Sequence, residues 1–223
     1  MAKLGMITIG QAPRQDVAPV FEKYIDGRSE LVQVGVLDGL KKEYIEEHLS
    51  PELGDYVLTT RLTNGDSVVM SREKIQPILQ EKINQFEKMG IKQILLLCTG
   101  VFPGIHTKSS YLIEPDKIIP PVVKSIVGQR RFGVILPLAE QEESLRSKFT
   151  SFGMNPHFAV ASPFKNDLTN YENAGNELKD KVDIILLDCM AYSEQSRQLV
   201  SKVTGLPVIV SNVMMGKLVS EMI

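Results

Sequence analysis

The chain has 223 residues, of which 43% are hydrophobic and 23% are charged, and its formal net charge is -2. These proportions exclude a disordered, collagen-like or coiled-coil chain, and the missing basic excess argues against a nucleic-acid partner. The 2 cysteines are too few for a disulfide framework. Because no segment reads as a secretory signal or as a membrane span, we expect a cytoplasmic protein without a membrane partner.

Short apolar runs alternate with amphipathic stretches, as strands and helices do in α/β proteins. In the first half we predict strands at 3–9, 31–36 and 92–97 and helices at 13–24, 41–49 and 71–89. A hairpin is predicted over 56–70, because Asn64-Gly65 between two apolar runs is a strong turn signal. A two-stranded ribbon alone is marginally stable, so we expect this hairpin to pack on a partner.

The second half repeats this order of elements. We predict strands at 132–136, 157–161, 183–187 and 207–210 and helices at 140–152, 168–179, 193–203 and 213–222. The predicted fold is therefore α/β with two pseudo-symmetric lobes, each a small parallel sheet flanked by helices. We predict a first lobe of residues 1–127 plus 212–223 and a second lobe of residues 128–211.

Both cysteines follow apolar strands of the two repeats. Cys98 precedes Thr99-Gly100, and Cys189 precedes Met190-Ala191. Ligands of parallel α/β sheets bind outside the carboxyl ends of the strands, and a helix beginning near Ser193 would favour a thiolate at Cys189. A single cysteine in such a place is more often a core residue. Two cysteines at matching places favour a site.

A second candidate cluster follows the first strand. Gln11, Pro13 and Arg14 are predicted to open the first helix, with Pro13 at its first position. Arg14 would hold a carboxylate bidentately, aided by the helix N-terminus. The alternative is that Arg14 forms a surface ion pair with Asp16 or Glu22.

Other side chains and motifs remain without a firm assignment. The roles of Arg61, His106, Ser211 and Asn212 stay open at this stage. Phosphate-loop, dinucleotide-binding and metal-ligand spacings are absent from the sequence, so we predict neither a cofactor nor a metal.

Two sets of motifs resemble known proteins. The segments Leu-Leu-Leu-Cys98-Thr-Gly and Leu-Leu-Asp-Cys189-Met-Ala, together with residues 205–210, resemble the aspartate/glutamate/hydantoin racemase superfamily. Residues 5–16 are similar to the start of the AroM family, a branch of that superfamily, and this resemblance extends over nearly the whole chain.

The resemblance implies a substrate between two lobes. It implies that Cys98 and Cys189 face each other, one thiolate removing a proton α to a carboxylate or amide and the other thiol returning one to the opposite face. The backbone N–H groups of Thr99, Gly100, Met190 and Ala191 would hold the resulting carbanion without a cofactor. The partner would be a small carboxylate or related anionic metabolite, and a homo-oligomer is expected by resemblance.

The loops after the cysteines depart from the glutamate racemases. Those enzymes carry Cys-Asn-Thr and Cys-Thr-His there, so the histidine next to the second cysteine is missing and glutamate is a doubtful substrate. Strand alternation places Asp188 on the face opposite Cys189, so we assign it no catalytic role. The alternative function is a non-catalytic protein that binds or senses a small anion.

Overall fold

The computed structural model describes residues 2–165 and 167–223. The chain divides into two compact units, of which the first contains the chain up to Pro115 together with Gly216–Ile223, and the second is Asp116–Met215. The predicted boundaries lie after 127 and after 211. The first boundary differs because Pro115–Val127 forms a helix that we did not predict.

The first unit contains a parallel four-stranded sheet in the order β2-β1-β5-β6 and an antiparallel pair, β3-β4. Its strands are β1 (Ala2–Thr8), β2 (Ser29–Gly35), β3 (Val57–Arg61), β4 (Ser67–Ser71), β5 (Gln93–Leu97) and β6 (Tyr111–Ile113). Its helices are α1 (Ala18–Ile25), α2 (Lys42–His48) and α3 (Arg72–Lys88).

The second unit contains a parallel four-stranded sheet in the order β10-β9-β7-β8. Its strands are β7 (Phe132–Leu136), β8 (His157–Val160), β9 (Ile184–Leu187) and β10 (Val208–Val210). Its helices are α4 (Pro115–Val127), α5 (Glu142–Thr150), α6 (Thr169–Leu178) and α7 (Glu194–Thr204). The last helix, α8 (Ser211–Ser220), begins in the second unit and continues from Gly216 as part of the first. Read from its other edge, this sheet repeats the order of the first, which confirms the predicted pair of diverged α/β repeats.

Burial explains why these segments form strands and helices. All residues of β7 are buried, as are four of the five in β5, because helices or loops cover both faces of a parallel strand. In α3 the buried residues recur at helical spacing along one stripe: Ile75, Leu79, Ile83 and Phe86. Ser71 caps this helix by accepting a hydrogen bond from the Lys74 N–H.

The predicted hairpin is formed by β3 and β4, which pair antiparallel with Thr59 opposite Val69. Its inward residues Leu58, Val68 and Met70 belong to the core of the first unit. The ribbon is therefore stabilised by its own unit, and the argument that it needs a partner chain loses its basis. Homo-oligomer formation stays a prediction.

Helix α4 contains Pro120 and Pro121, which is why the sequence did not indicate a helix there. The buried residues Ile119, Val123 and Val127 form an apolar stripe that stabilises it despite the missing N–H donors. None of the helices in the described part of the chain is long and apolar enough to cross a membrane.

Candidate active site

Cys98 is the first residue after β5, at the carboxyl edge of the first sheet. In the parallel register Thr8 of β1 lies beside Leu97, so the loop after β1 starts next to Cys98. Cys98 is 8% exposed, and the Gly100 N–H donates a hydrogen bond to its Sγ at 3.3 Å. A donor aimed at sulfur favours the anionic thiolate, since hydrogen bonds to an ionised acceptor are the stronger ones.

Cys189 has the equivalent surroundings in the second unit. It follows β9, which is the third strand of its sheet as β5 is of the other, when both are counted from the equivalent edge. The Ala191 N–H donates to the Cys189 Sγ at 3.5 Å, and the residue is half-buried. The two loops therefore share one local geometry, in which each sulfur accepts the N–H of the second residue after it.

Helix α7 begins directly after the Cys189 loop. Ser193 is its N-cap and forms a reciprocal capping box with Ser196, as expected for a helix start. Burial, followed by the charge of Cys189, raises the pKa of Tyr192 well above its ordinary value. The neutral Tyr192 hydroxyl donates to the Ala161 carbonyl at 2.7 Å, which fixes the loop before the helix.

Asp188 lies on the face opposite Cys189, as strand alternation predicts. Its carboxylate accepts a 2.6 Å hydrogen bond from Lys148 Nζ of α5. Helix α5 covers the face of the sheet that carries Phe132, since the ring of Phe149 in α5 lies 5.5 Å from the Phe132 ring. Cys189 packs against the core on the other face of the sheet. Asp188 is thus part of a buried ion pair and not a proton-transfer group.

Ser211 and Asn212 brace the Cys189 loop, a role that the sequence did not reveal. The Asn212 amide donates to the carbonyls of Met190 at 2.9 Å and Tyr192 at 2.7 Å. The Ser211 hydroxyl donates to the Leu187 carbonyl at 3.0 Å. Met190 itself is 2% exposed, so its side chain is buried, and its assignment to substrate binding stays a prediction.

The segment around Arg14 is a loop and not the start of a helix. Helix α1 begins at Ala18, and Pro13, which follows a cis peptide bond, lies outside it. The prediction that Pro13 is a first helical residue was wrong. The Arg14 carbonyl instead accepts from the N–H groups of Val17 and Ala18 in a turn. The expected anion attraction of a helix N-terminus at Arg14 therefore does not apply.

The Arg14 guanidinium is buried and already bound within the unit. Its Nε and Nη2 each donate to Asp16 at 2.8 Å, and Nη1 donates to the Thr8 hydroxyl at 3.2 Å. Arg14 is 5% exposed, so the alternative of an ion pair with Asp16 holds, but the arginine is not at the surface. The Nε and Nη2 donors of Arg14, which we predicted to bind a ligand carboxylate, bind Asp16 instead.

Gln11 joins three loops of the first unit. Its amide nitrogen donates to the carbonyls of Leu37 and Leu40, and its amide oxygen accepts from the backbone and the hydroxyl of Thr63. The side chain therefore ties the hairpin turn to the loop after β2. A role of Gln11 in substrate binding stays a prediction.

A cavity of about 280 Å³ lies within the first unit beside these loops. Its lining residues are Gln11, Pro13, Arg14, Gln15, Asp16, Arg61, Leu62, Thr63 and Gly65. Burial raises the pKa of Asp16, but the hydrogen bond and charge of Arg14, aided by the charge of Arg61, outweigh it and lower the pKa below its ordinary value. Asp16 is therefore a carboxylate at neutral pH. The sequence did not show that Arg61 lines the same cavity as Arg14, because the two residues are far apart in the chain and only the fold brings them together.

Strand β3 lies over the carboxyl edge of the first sheet. A Cβ built on Gly10 would be 2.4 Å from the Thr60 hydroxyl and 2.6 Å from the Arg61 carbonyl. A Cβ on Gly100 would be 2.9 Å from Leu58. The loop after β1 thus needs glycine at position 10, because the backbone of β3 approaches it closely, whereas at Gly100 the near atom belongs to the Leu58 side chain.

The family follows from a match between a protein-family model and nearly the whole chain. The AroM family model, described as AroM protein, matches residues 4–223. The chain belongs to the AroM family. No curated protein matches it.

Several solved structures share the fold of this AroM-family protein. It is similar to Picrophilus torridus aspartate racemase, with 14% identity, a TM-score of 0.63 and coverage of 99% of this chain and 95% of that chain. Allantoin racemase from Klebsiella pneumoniae has 13% identity, a TM-score of 0.64 and coverage of 100% and 87%. Unliganded arylmalonate decarboxylase has 12% identity, a TM-score of 0.62 and coverage of 100% and 92%. These likenesses establish the racemase-superfamily fold.

Helix α3 of the AroM-family protein holds the loop that follows Cys98. Arg72 donates to the Val101 carbonyl at 3.2 Å and Gln76 to the Pro103 carbonyl at 2.7 Å. One turn further, Gln80 exchanges two hydrogen bonds with the His106 backbone. The His106 ring is exposed and contacts the Gly104 carbonyl. It also lines a cavity of about 400 Å³ together with Arg72 and Glu73, away from the Cys98 sulfur.

Replacing Glu87, at the end of α3, is expected to remove part of the acid sensitivity of folding. Its carboxylate accepts from the N–H groups of Ser109, Lys108 and Ser110, which lowers the pKa from 4.5 to about 2. A lowered pKa stabilises the fold above 4.5, and this contribution is lost as the pH falls toward about 2. Urea unfolding across that range should show a weaker pH dependence in Glu87→Gln than in wild type.

The control for Glu87→Gln is Glu81→Gln, an exposed position on the same helix. An unchanged pH dependence in Glu87→Gln, equal to that of the control, would contradict the role of this carboxylate.

Across residues 2–165 and 167–223, no group of three or more His, Cys, Asp or Glu side chains is arranged to hold a metal ion. Each unit offers one thiol and the N–H groups of the loop around it, and the first unit also contains Arg14 and Arg61.

Proposed function

We propose that this AroM-family protein catalyses a cofactor-independent proton transfer of the racemase or isomerase type on a small carboxylate, with Cys98 and Cys189 as the two proton carriers. The observation that carries the proposal is the repeated environment of the thiols. Each follows the equivalent strand of an equivalently ordered sheet, and each sulfur accepts the N–H of the second following residue.

The reaction needs two groups because a single base does not reach both faces of a planar carbanion. One cysteine begins as the thiolate and removes the proton next to the carboxyl group. The other begins as the thiol and delivers a proton to the opposite face, so it ends as the thiolate. No proton is gained or lost overall, and the loop N–H groups stabilise the negative charge that develops on the substrate.

The test is hydrogen exchange in D₂O, followed by proton NMR. The purified protein is incubated with a panel of amino acids, hydantoins, hydroxy acids and unsaturated diacids, beside the double variant Cys98→Ala/Cys189→Ala. We expect at least one substrate to lose its α-hydrogen signal with the wild type and to keep it with the double variant. Exchange that is equal in both proteins, or absent from the whole panel, would overturn the proposal.

A second candidate function is binding of a small anion without turnover. It is favoured by the cavity of Arg14 and Arg61, which is formed by the first unit without either cysteine. Under this function the panel compounds raise the melting temperature equally in wild type and in the double cysteine variant, and no exchange occurs.

The proposed mechanism also suggests a cellular location. Because the mechanism requires reduced thiols, we propose a reducing, cytoplasmic location. The homo-oligomer is retained as a proposal, and size-exclusion chromatography with light scattering tests it.

A further inference from the structure

We infer that Tyr56 and Arg72 are positioning residues for the Cys98 thiol. Together they fix Val101, and the loop held in this way aims the Gly100 N–H at the sulfur. The inference rests on the proposed function in so far as the Cys98 thiolate is a proton carrier. The thiolate itself can be measured without a substrate.

Tyr56 and Arg72 form a stacked pair at the open end of the hairpin. Tyr56 directly precedes β3, and Arg72 is the first residue of α3, directly after β4. The Arg72 N–H donates to the Tyr56 carbonyl at 3.0 Å, and the carbon at the centre of the guanidinium lies 4.5 Å from the centroid of the Tyr56 ring. A guanidinium stacked on an aromatic ring is attracted by it, so the contact fixes the directions of both side chains.

Both polar backbone groups of Val101 bind this stacked pair. The Val101 N–H donates to the Tyr56 hydroxyl at 3.4 Å, and the Val101 carbonyl accepts from Arg72 Nη1 at 3.2 Å. The pair therefore holds the peptide groups on both sides of Val101. The first of these groups joins Gly100 to Val101, so the orientation of Gly100 is set as well.

Gly100 lies between the Tyr56 ring and the sulfur. Its N–H donates to the Cys98 Sγ at 3.3 Å. A Cβ built on Gly100 would be 3.4 Å from this sulfur and 3.6 Å from the ring carbon Cε1 of Tyr56. The residue that holds Val101 therefore also borders the peptide group that donates to the thiol.

Two arginines flank this loop, and each is paired with a carboxylate. Arg72 binds the neighbouring Glu73, whereas Arg14, which reaches Thr8 beside the end of β5, binds Asp16. Because both cations are paired, we attribute the effect on the sulfur to the direction of an N–H donor and not to net positive charge. A donor aimed at sulfur favours the thiolate, so its loss favours the thiol.

The experiment measures the ultraviolet absorption of the thiolate against pH in the variant Cys189→Ala, in which Cys98 is the sole thiol. The same protein without both cysteines is the blank. Tyr56→Phe keeps the ring for Arg72 and removes the acceptor of the Val101 N–H, without any change of charge. We expect half-maximal absorption about 1 pH unit higher than in the parent, which is about tenfold less thiolate at a pH below both midpoints. Arg72→Ala, which removes the stack, should move the midpoint in the same direction.

Two controls accompany these variants. Tyr44→Phe removes the hydroxyl of a tyrosine of the same unit that is 48% exposed, and should leave the profile of Cys98 unchanged. Tyr56→Phe is also made in Cys98→Ala, where Cys189 is the sole thiol. The profile of Cys189 should stay in place, because its loop is braced by Asn212 of the second unit.

Melting temperatures verify that each variant is folded. A merely structural role of the pair would lower the melting temperature and leave the thiolate profile unchanged. The inference is overturned if folded Tyr56→Phe has the profile of its parent, or if the profile of Cys189 moves as far as that of Cys98.

The outcome is distinguishable from failure of the proton-transfer proposal, because the absorption needs no substrate. A shifted Cys98 profile, together with a wild type that exchanges no α-hydrogen, supports this inference and defeats the catalytic proposal. Hydrogen exchange by the wild type, together with an unshifted profile in Tyr56→Phe, supports catalysis and defeats this inference.

Discussion

Replacing Lys148 with alanine is expected to lower the free energy of unfolding by about 3–5 kcal/mol. The side chains of Lys148 and Asp188 are 2% and 0% exposed, and their charged atoms are 2.6 Å apart. Without the lysine, the buried Asp188 carboxylate loses the charged partner that lies against it. Urea unfolding followed by circular dichroism measures the loss.

The controls compare the removal of one charge from a buried ion pair with the replacement of both charged residues by apolar ones. The double variant Lys148→Met/Asp188→Leu should recover most of the stability, because no charge is left behind in the core. Arg131→Ala breaks a pair whose side chains are 58% and 39% exposed, and should cost much less stability than Lys148→Ala, because solvent screens the exposed charges. A loss below about 1 kcal/mol for Lys148→Ala would contradict the burial argument.

Single cysteine variants are expected to lose racemisation while they keep part of the exchange. With Cys98→Ser, the Cys189 thiolate still removes the proton from one enantiomer and returns solvent deuterium to the same face. The reverse holds for Cys189→Ser, which should exchange the other enantiomer. Racemisation should fall by about 10²- to 10⁴-fold in each, because one general acid or base is missing.

The measurement combines chiral chromatography with the NMR exchange assay on each pure enantiomer. The double variant Cys98→Ala/Cys189→Ala gives the background rate, and melting temperatures verify that each single variant is folded. Exchange of the same enantiomer by both single variants, or racemisation near the wild-type rate in either, would show that the thiols do not act on opposite faces.

The strands and the hairpin could be predicted because their signals are local. Asn64-Gly65 gives the turn, and continuous apolar runs give the strands that end near Cys98 and Cys189. Helix α4 could not be predicted, since Pro120-Pro121 locally opposes a helix and only tertiary burial of its apolar stripe decides the outcome.

The candidate site was predicted less completely, because its contacts join distant parts of the chain. Nothing near Arg14 in the sequence shows that Thr8 and Asp16 occupy its guanidinium or that Arg61 lines the same cavity. The bracing of the Cys189 loop by Asn212 is equally non-local. The sequence pattern correctly placed the two cysteines in loops after strands. The hydrogen-bond partners of the site residues could be identified only from the fold.

The first unit is completed by a segment that follows the entire second unit in the chain. Gly216 of α8 packs so closely on Tyr24 that an added Cβ would be 2.8 Å from its ring, and the Gln93 side chain donates to the Met222 carbonyl. A ribosome therefore releases all of the second unit before the first has its last helix. We expect the Cys189 loop to mature during synthesis before the unit that carries Cys98, in the reverse of their sequence order.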